Sequence, residues 1–270
     1  MSSPDLVPND LWERIAPLLP PHPPRRRHHP GRRPIDDRMA LADIVYVLRT
    51  GVAWRDVPAS TIGCSGVTCW RRLRDWTEAG VWPRLHQLLL DELRAAGLLD
   101  LNDAAIDGSH VRALKRGDHV GPSPVDRGRP GSKHHLIVDA HGTPLAVSVT
   151  GGNRHDVTQM LPLLAAIPPI RGVRGRPRRK PRRLYADRGY DYPSHRRHLW
   201  KRGIKPVIAR RGSPHGSGLG TIRWVVERTF AWLHQFKRLR IRYEHRADLH
   251  QGLLDLACSL ICLRRLRTSF

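Results

Sequence analysis

Leu184-Tyr185-Ala186-Asp187-Arg188-Gly189-Tyr190 is a short apolar run that closes on a carboxylate and then a glycine turn. That order marks a strand ending in an acid. Three other runs share the character: Ala104-Ala105-Ile106-Asp107, His135-Leu136-Ile137-Val138-Asp139 and Leu145-Ala146-Val147-Ser148-Val149 are bounded by glycine, proline or aspartate and predict strands. Lys205 to Ala209 predicts one more. Helices are expected over 156–167, 195–202, 221–239 and 249–266. Strands and helices interleave, so residues 101–270 are expected to form an α/β (α+β) unit.

The first hundred residues have a different texture, and they predict an all-α domain. A short helix is expected before Pro20, with Asn9 or Asp10 as its cap, followed by a Pro/Arg/His linker over 21–34 that has no apolar residue to bury. A helix then starts at Asp36 and stops at Thr50-Gly51. Ser65 caps the next, which turns Val67, Trp70, Leu73 and Trp76 inward and Arg71, Arg72 and Arg74 outward. A third helix covers 84–96. Such a set, with a basic helix after a glycine-containing turn, fits a helix-turn-helix or an ordinary bundle with a charged face.

Charge separates the two parts further. The chain has 47 Lys+Arg against 24 Asp+Glu, a net +23. The first hundred residues carry 14 basic and 12 acidic side chains, so most of the excess lies after them. An acidic polymer is the expected partner, and nucleic acid is the obvious one. The run from Arg171 to Arg183 has basic residues and no acid, and Arg178, Arg179 and Lys180 at its centre are candidate phosphate contacts. Four cysteines and an N-terminus without a signal pattern argue against a disulfide scaffold and for a reducing cytosol. No apolar run reaches the length of a bilayer span.

Acids are scarce in the basic part, so each needs a reason. Asp107 and Asp187 are both expected at strand ends before glycine turns, where a carboxylate can hold a divalent ion. Glu227 lies inside a predicted helix, with Arg223, His234 and Arg238 at four before, seven after and eleven after it. Two strand acids and one helix acid could hold two Mg²⁺ or Mn²⁺ ions, which would serve in-line phosphoryl transfer.

The sequence resembles bacterial insertion-sequence transposases of the DDE type, in the IS-five family of the IS four/five superfamily. The residues that carry the likeness are Asp-Gly-Ser-His-Val at 107–111, Asp-Arg-Gly-Arg-Pro-Gly-Ser-Lys-His-His at 126–135 and Gly-Gly-Asn-Arg-His-Asp at 151–156. Tyr-Ala-Asp-Arg-Gly-Tyr-Asp at 185–191 and Arg-Trp-Val-Val-Glu-Arg-Thr-Phe-Ala-Trp-Leu at 223–233 match as well, as do 51–58 and 64–73 in the first part. The resemblance implies an RNase H-like catalytic domain whose triad is Asp107, Asp187 and Glu227. It also implies double-stranded DNA partners (terminal inverted repeats and target), hydrolysis at the element's ends, attack by the freed 3′ hydroxyl, and a homo-oligomer on DNA in the cytoplasm. Of the family's tyrosine, arginine, glutamate and lysine signature, Arg223 and Glu227 match. Gly220 stands where the tyrosine is expected and His234 where the lysine is, which makes Lys237 or Arg238 alternative contacts to terminal phosphates. A nuclease or resolvase of the same fold, or a DNA-binding relic acting as a regulator, are the competing readings.

Several features point elsewhere. Cys64 with Cys69, and Cys258 with Cys262, lack the flanking cysteine or histidine of a zinc site. Gly216-Ser-Gly-Leu-Gly220 lacks a phosphate loop's lysine. His155-Asp156 is expected to cap a helix or to add a ligand, and Asp191 to serve a turn. Trp200 and Trp224 are the tryptophans most open to a role in stacking.

Overall fold

The computed structural model describes residues 6–22, 28, 34–58, 63–212 and 220–268, with the side chain of Thr221 excepted. Most of the 21–34 linker, and the glycine-rich stretch before Gly220, lie outside the described residues.

Helix α1 (Asn9–Ile15) starts after Pro8 without a side-chain cap, so neither Asn9 nor Asp10 takes that role. Helix α2 (Asp37–Thr50) is capped by Asp36, whose carboxylate accepts from Met39 N, and it ends at Gly51 with φ 76°. That left-handed turn suits glycine. Helix α3 (Gly66–Glu78) is capped by Ser65, which accepts from Thr68 N, and α4 (Val81–Ala95) follows at once. The buried stripe of α3 is Gly66, Cys69, Leu73 and Trp76, whereas Val67 is 57% exposed. The expected stripe was out of phase at its start: the 3.6-residue period back from Leu73 and Trp76 selects Cys69 rather than Val67.

The sheet is formed by β1 (Asp103–Ala113), β2 (Gly121–Pro122), β3 (Pro130–Asp139), β4 (Pro144–Gly151), β5 (Arg183–Ala186), β6 (Lys205–Ile208) and β7 (Ile241–Arg242). Its main order is β4-β3-β1-β5-β6. The first three strands run antiparallel, and β5 and β6 run parallel to β1. An antiparallel three-strand meander extended by two parallel strands on the β1 side is the RNase H-like arrangement. Helix α5 (Met160–Ala166) packs on β3 and β4, α6 (Pro193–Lys201) on β6, α7 (Gly220–Gln235) on β1, β3 and β5, and α8 (Ala247–Arg267) on β4.

β1 does not end at Asp107. It pairs with β3 without interruption from Ala104 to Arg112, so Asp107 and Gly108 sit mid-strand, opposite Leu136 and His135. The glycine is there for clearance: a Cβ on Gly108 would lie 2.7 Å from Asp156 Oδ1.

The first hundred residues are not packed apart from the sheet. One hydrophobic core runs through α1 to α4, the strands and α8. α8 packs on α3 and α4 as well as on β4, and a Cβ on Gly252 would meet Thr77 Oγ1 at 2.7 Å. His86 on α4 bonds the Pro144 carbonyl at 2.8 Å. Cys64 and Cys69 meet as a disulfide across the start of α3, while Cys258 and Cys262 are buried free thiols. A single five-residue link is not a scaffold, although no pattern around the two cysteines announces it.

Candidate active site

Asp107 and Asp187 reach one region from neighbouring parallel strands, Asp107 from within β1 and Asp187 from the residue after β5. Each carboxylate is fixed by a local amide. Asp107 Oδ1 accepts from Gly108 N at 2.8 Å, and Asp187 Oδ1 accepts from Gly189 N at 2.8 Å as it caps the short turn 188–190. Burial pushes the Asp107 carboxyl up to about 6. The Gly108 amide and Arg223 oppose that rise, and the nearby charges of Asp187 and Asp156 add to it.

Helix α7 carries Glu227 and reaches the site through Arg223. Arg223 Nη2 lies 3.3 Å from Asp107 Oδ2, and Glu227 is exposed one helical turn further along the same helix. Its flank carries an aromatic sandwich: the Arg228 guanidinium lies 4.2 Å from the ring centre of Trp224 and 4.7 Å from that of Trp232. Trp224 is 47% exposed, and Trp200 on α6 is 57% exposed.

Asp156 joins the cluster through topology rather than sequence proximity. Its Oδ1 is 3.0 Å from Lys133 Nζ and 3.7 Å from His135 Nδ1, both on β3. Tyr190 was missed altogether. It is buried, and its hydroxyl has no hydrogen-bond partner among the described residues. Burial and the charges of Asp107, Asp156 and Asp187 raise it well above the usual phenol range. The spacing Asp187-Arg-Gly-Tyr190, with a tyrosine on the turn that the aspartate caps, was the signal available. An open cleft of about 1220 Å³ runs along β4 past Ser148, Thr150 and His155, and none of the three acids lines it.

The basic candidates divide. Arg71 is exposed on α3 and Arg179 in the 171–183 segment. Arg74 pairs with Asp75 at 2.7 Å, and Arg72 is held against Asp37 at 3.3 Å. Arg178 bonds back to the chain at Leu101, and Lys180 to the Arg202 carbonyl. The expectation that Arg238 contacts DNA fails: it is 4% exposed, pairs with Glu244 at 2.7 Å and donates to the Val52 carbonyl at 2.9 Å. Helix α7 ends at Gln235, so the helical face counted through Glu227 and His234 does not extend to residue 238. His234 is half-buried against Phe230, and Lys237 is exposed.

Residues 100–262 match the family described as Transposase DDE domain. The chain belongs to that family. Residues 7–86 match a second family, of transposases assigned to the IS4/5 group. This transposase is 65% identical over 148 residues (55% of the chain, 70% of the relative) to the transposase named for insertion sequence element IS402 of Burkholderia cepacia. It is 55% identical over 120 residues (44% of the chain, 81% of the relative) to an uncharacterized 16.2 kDa protein of the same element. Among solved structures, the Mos1 strand transfer complex aligns over 88% of this chain and 81% of that one, at 12% identity and TM-score 0.29. At that distance the likeness adds nothing to the fold, which rests on strand order. The chain is a DNA transposase, an enzyme that cleaves and transfers DNA strands.

Proposed function

We propose that Asp107, Asp187 and Glu227 are the catalytic carboxylates, that they act on the terminal inverted repeats of an insertion sequence, and that α3 with its flanking basic residues binds those ends. The observation that carries this reading is the Arg223–Asp107 contact, which ties the helix bearing Glu227 to the strand bearing Asp107. A functional division near residue 100, between end-binding helices and catalytic sheet, is part of the same proposal.

Divalent cations fit these residues. The donors are hard carboxylate oxygens, and Asp107 is half-buried among like charges with the Arg223 guanidinium beside it, so its ionised form is short of positive charge. Two Mg²⁺ or Mn²⁺ ions held by Asp107, Asp187 and Glu227 would supply the charge that favours an ionised water or 3′ hydroxyl and a departing oxyanion. The chain's own residues do the rest. The Gly108 and Gly189 amides hold two carboxylates in fixed orientations, and Arg223 keeps Asp107 from turning away. Lys133 restrains Asp156 next to the site, with His135 beside it. Arg71, Arg179 and Lys237 offer exposed charge to the DNA backbone. No protein nucleophile is required, because water and the DNA hydroxyl are the attacking groups. Moving an element as a unit requires both ends at once, so at least two copies are expected on paired ends.

The test is cleavage of a labelled DNA fragment carrying one element end, with Mg²⁺, with EDTA and with Asp187→Ala. Metal-dependent cutting at the end that falls by about a thousand-fold or more in the variant supports the triad. Wild-type nicking by Asp187→Ala would overturn it, and specific binding without cutting under any metal would favour a DNA-binding regulator.

A further inference from the structure

One cluster of metal-binding side chains lies on the N-terminal helices, outside the elements that carry Asp107, Asp187 and Glu227. Asp43 on α2, Cys64 ahead of α3 and Cys69 on α3 are all buried, and they bring a carboxylate oxygen and two sulfurs within 4.8 Å of one another. Sequence spacing excluded zinc here because no third ligand flanks the cysteines. The fold supplies it from α2, at a sequence separation of 26 from Cys69.

The surroundings of Asp43 are unusual for a structural carboxylate. It is 0% exposed, its Oδ1 has no hydrogen-bond partner among the described residues, and no described cation opposes its charge. Its Oδ2 lies 3.1 Å from Cys69 Sγ, which is a hydrogen bond only while Cys69 carries a proton. A disulfide removes that proton and leaves the carboxylate facing a bare sulfur. The Cα separation of 6.9 Å also lies at the outer edge of what a disulfide spans. These features favour a dithiol at this site and a positive charge among its three donors.

We propose that, with both cysteines reduced, Asp43, Cys64 and Cys69 bind one Zn²⁺, with water completing a tetrahedral set, and that the ion fastens the capped start of α3 to α2. Two thiolates and a carboxylate are donors zinc takes, and binding releases the thiol protons. The ion would thereby hold the helix that carries Arg71 and Arg74 in its orientation.

The experiment uses the full chain, purified with a phosphine reductant and without chelator. Elemental analysis should give close to one Zn²⁺ per chain, and Co²⁺ substitution should give a sulfur-to-cobalt charge-transfer band, which the carboxylate site cannot produce. Cys69→Ser should lose both signals, and Asp43→Asn should weaken Co²⁺ binding at least tenfold. Should Cys69→Ser fold poorly, alkylating the thiols of the wild-type protein must abolish the cobalt band. Four reactive thiols with no bound metal would overturn the proposal. So would a chain two hydrogens light that keeps its Cys64–Cys69 bond in reductant, or a cobalt band indifferent to Asp43→Asn.

Discussion

Strand β3 sends alternate residues into two polar neighbourhoods on opposite faces of the sheet, and the two are built to contrary rules. Lys133 and His135 point toward Asp156, whose charge reaches Asp107 on the neighbouring strand. Ser132 and His134 point the other way. There His134 bonds His250 at 2.8 Å, His250 meets Glu244 at 3.4 Å, and Glu244 pairs with Arg238. Arg242, wholly buried, donates to Ser132 Oγ at 2.9 Å and to the carbonyls of Asp118, His119 and Glu244. On the second face nearly every charge has its counter-charge or acceptor. Burial alone would raise the Glu244 carboxyl, but the His250 hydrogen bond and the Arg238 guanidinium outweigh it and hold it at about 2. Around Asp107, which β1 presents beside Leu136, the balance is left incomplete, and its carboxyl rises to about 6. A compensated carboxylate secures the fold, whereas an uncompensated one is available to a cation or to DNA chemistry.

The sharpest way to break this contrast is to neutralise one acid from each neighbourhood. Asp107→Asn is expected to cut cleavage by about a thousand-fold or more while end binding persists, read by strand-nicking and mobility-shift assays side by side. Glu244→Gln is expected to cost about 3–5 kcal/mol in urea unfolding, because it strands the Arg238 charge in the interior. Cleavage per folded molecule should be unchanged. A cleavage defect as deep as that of Asp107→Asn, in protein shown to be folded, would erase the distinction.

Asp107→Asn should also stabilise the metal-free protein, by about 1–2 kcal/mol at pH 8, since it removes an ionised group that burial disfavours. Added Mg²⁺ should raise the melting temperature of the wild type and leave that of the variant unmoved. The pH dependences have opposite signs. Glu244 is depressed in the folded state, so its contribution is present above its usual 4.5 and is lost as pH falls toward 2. Asp107 is raised, so the protein loses stability from this group as pH rises from its usual 3.8 through about 6. Subtracting the Asp107→Asn stability profile from that of the wild type should isolate the second slope. The smallest effect expected is that of Ser65→Ala, about 1 kcal/mol from the lost α3 cap, with end binding weakened in step.

The sequence made visible what is local. The helix start at Asp36, the cap at or next to Ser65, the glycine stop at Gly51 and the strand acid Asp187 each depend on a few consecutive residues, and all lie at the expected place or one residue from it. Features that depend on partners far along the chain were hidden. Gly108 suggested a turn because only the fold shows that it makes room for Asp156. Arg238 suggested a DNA contact because its counter-charge lies across a turn and a strand, outside any helical count. Asp43 looked like one more residue of an amphipathic helix until α3 laid two sulfurs beside it.

Helix α8 has a further consequence. It packs on α3 and α4 along one part of its surface and on β4 along another, so its side chains are fitted to both neighbours at once. The N-terminal helices, proposed above to bind the ends, are therefore not an interchangeable cassette. Recombination between two insertion sequences that exchanged only the first hundred codons would mate a foreign helical set with a helix shaped for another. New target recognition in this lineage is expected to arise by changing exposed side chains such as Arg71 and Arg179 in place, leaving the shared packing untouched.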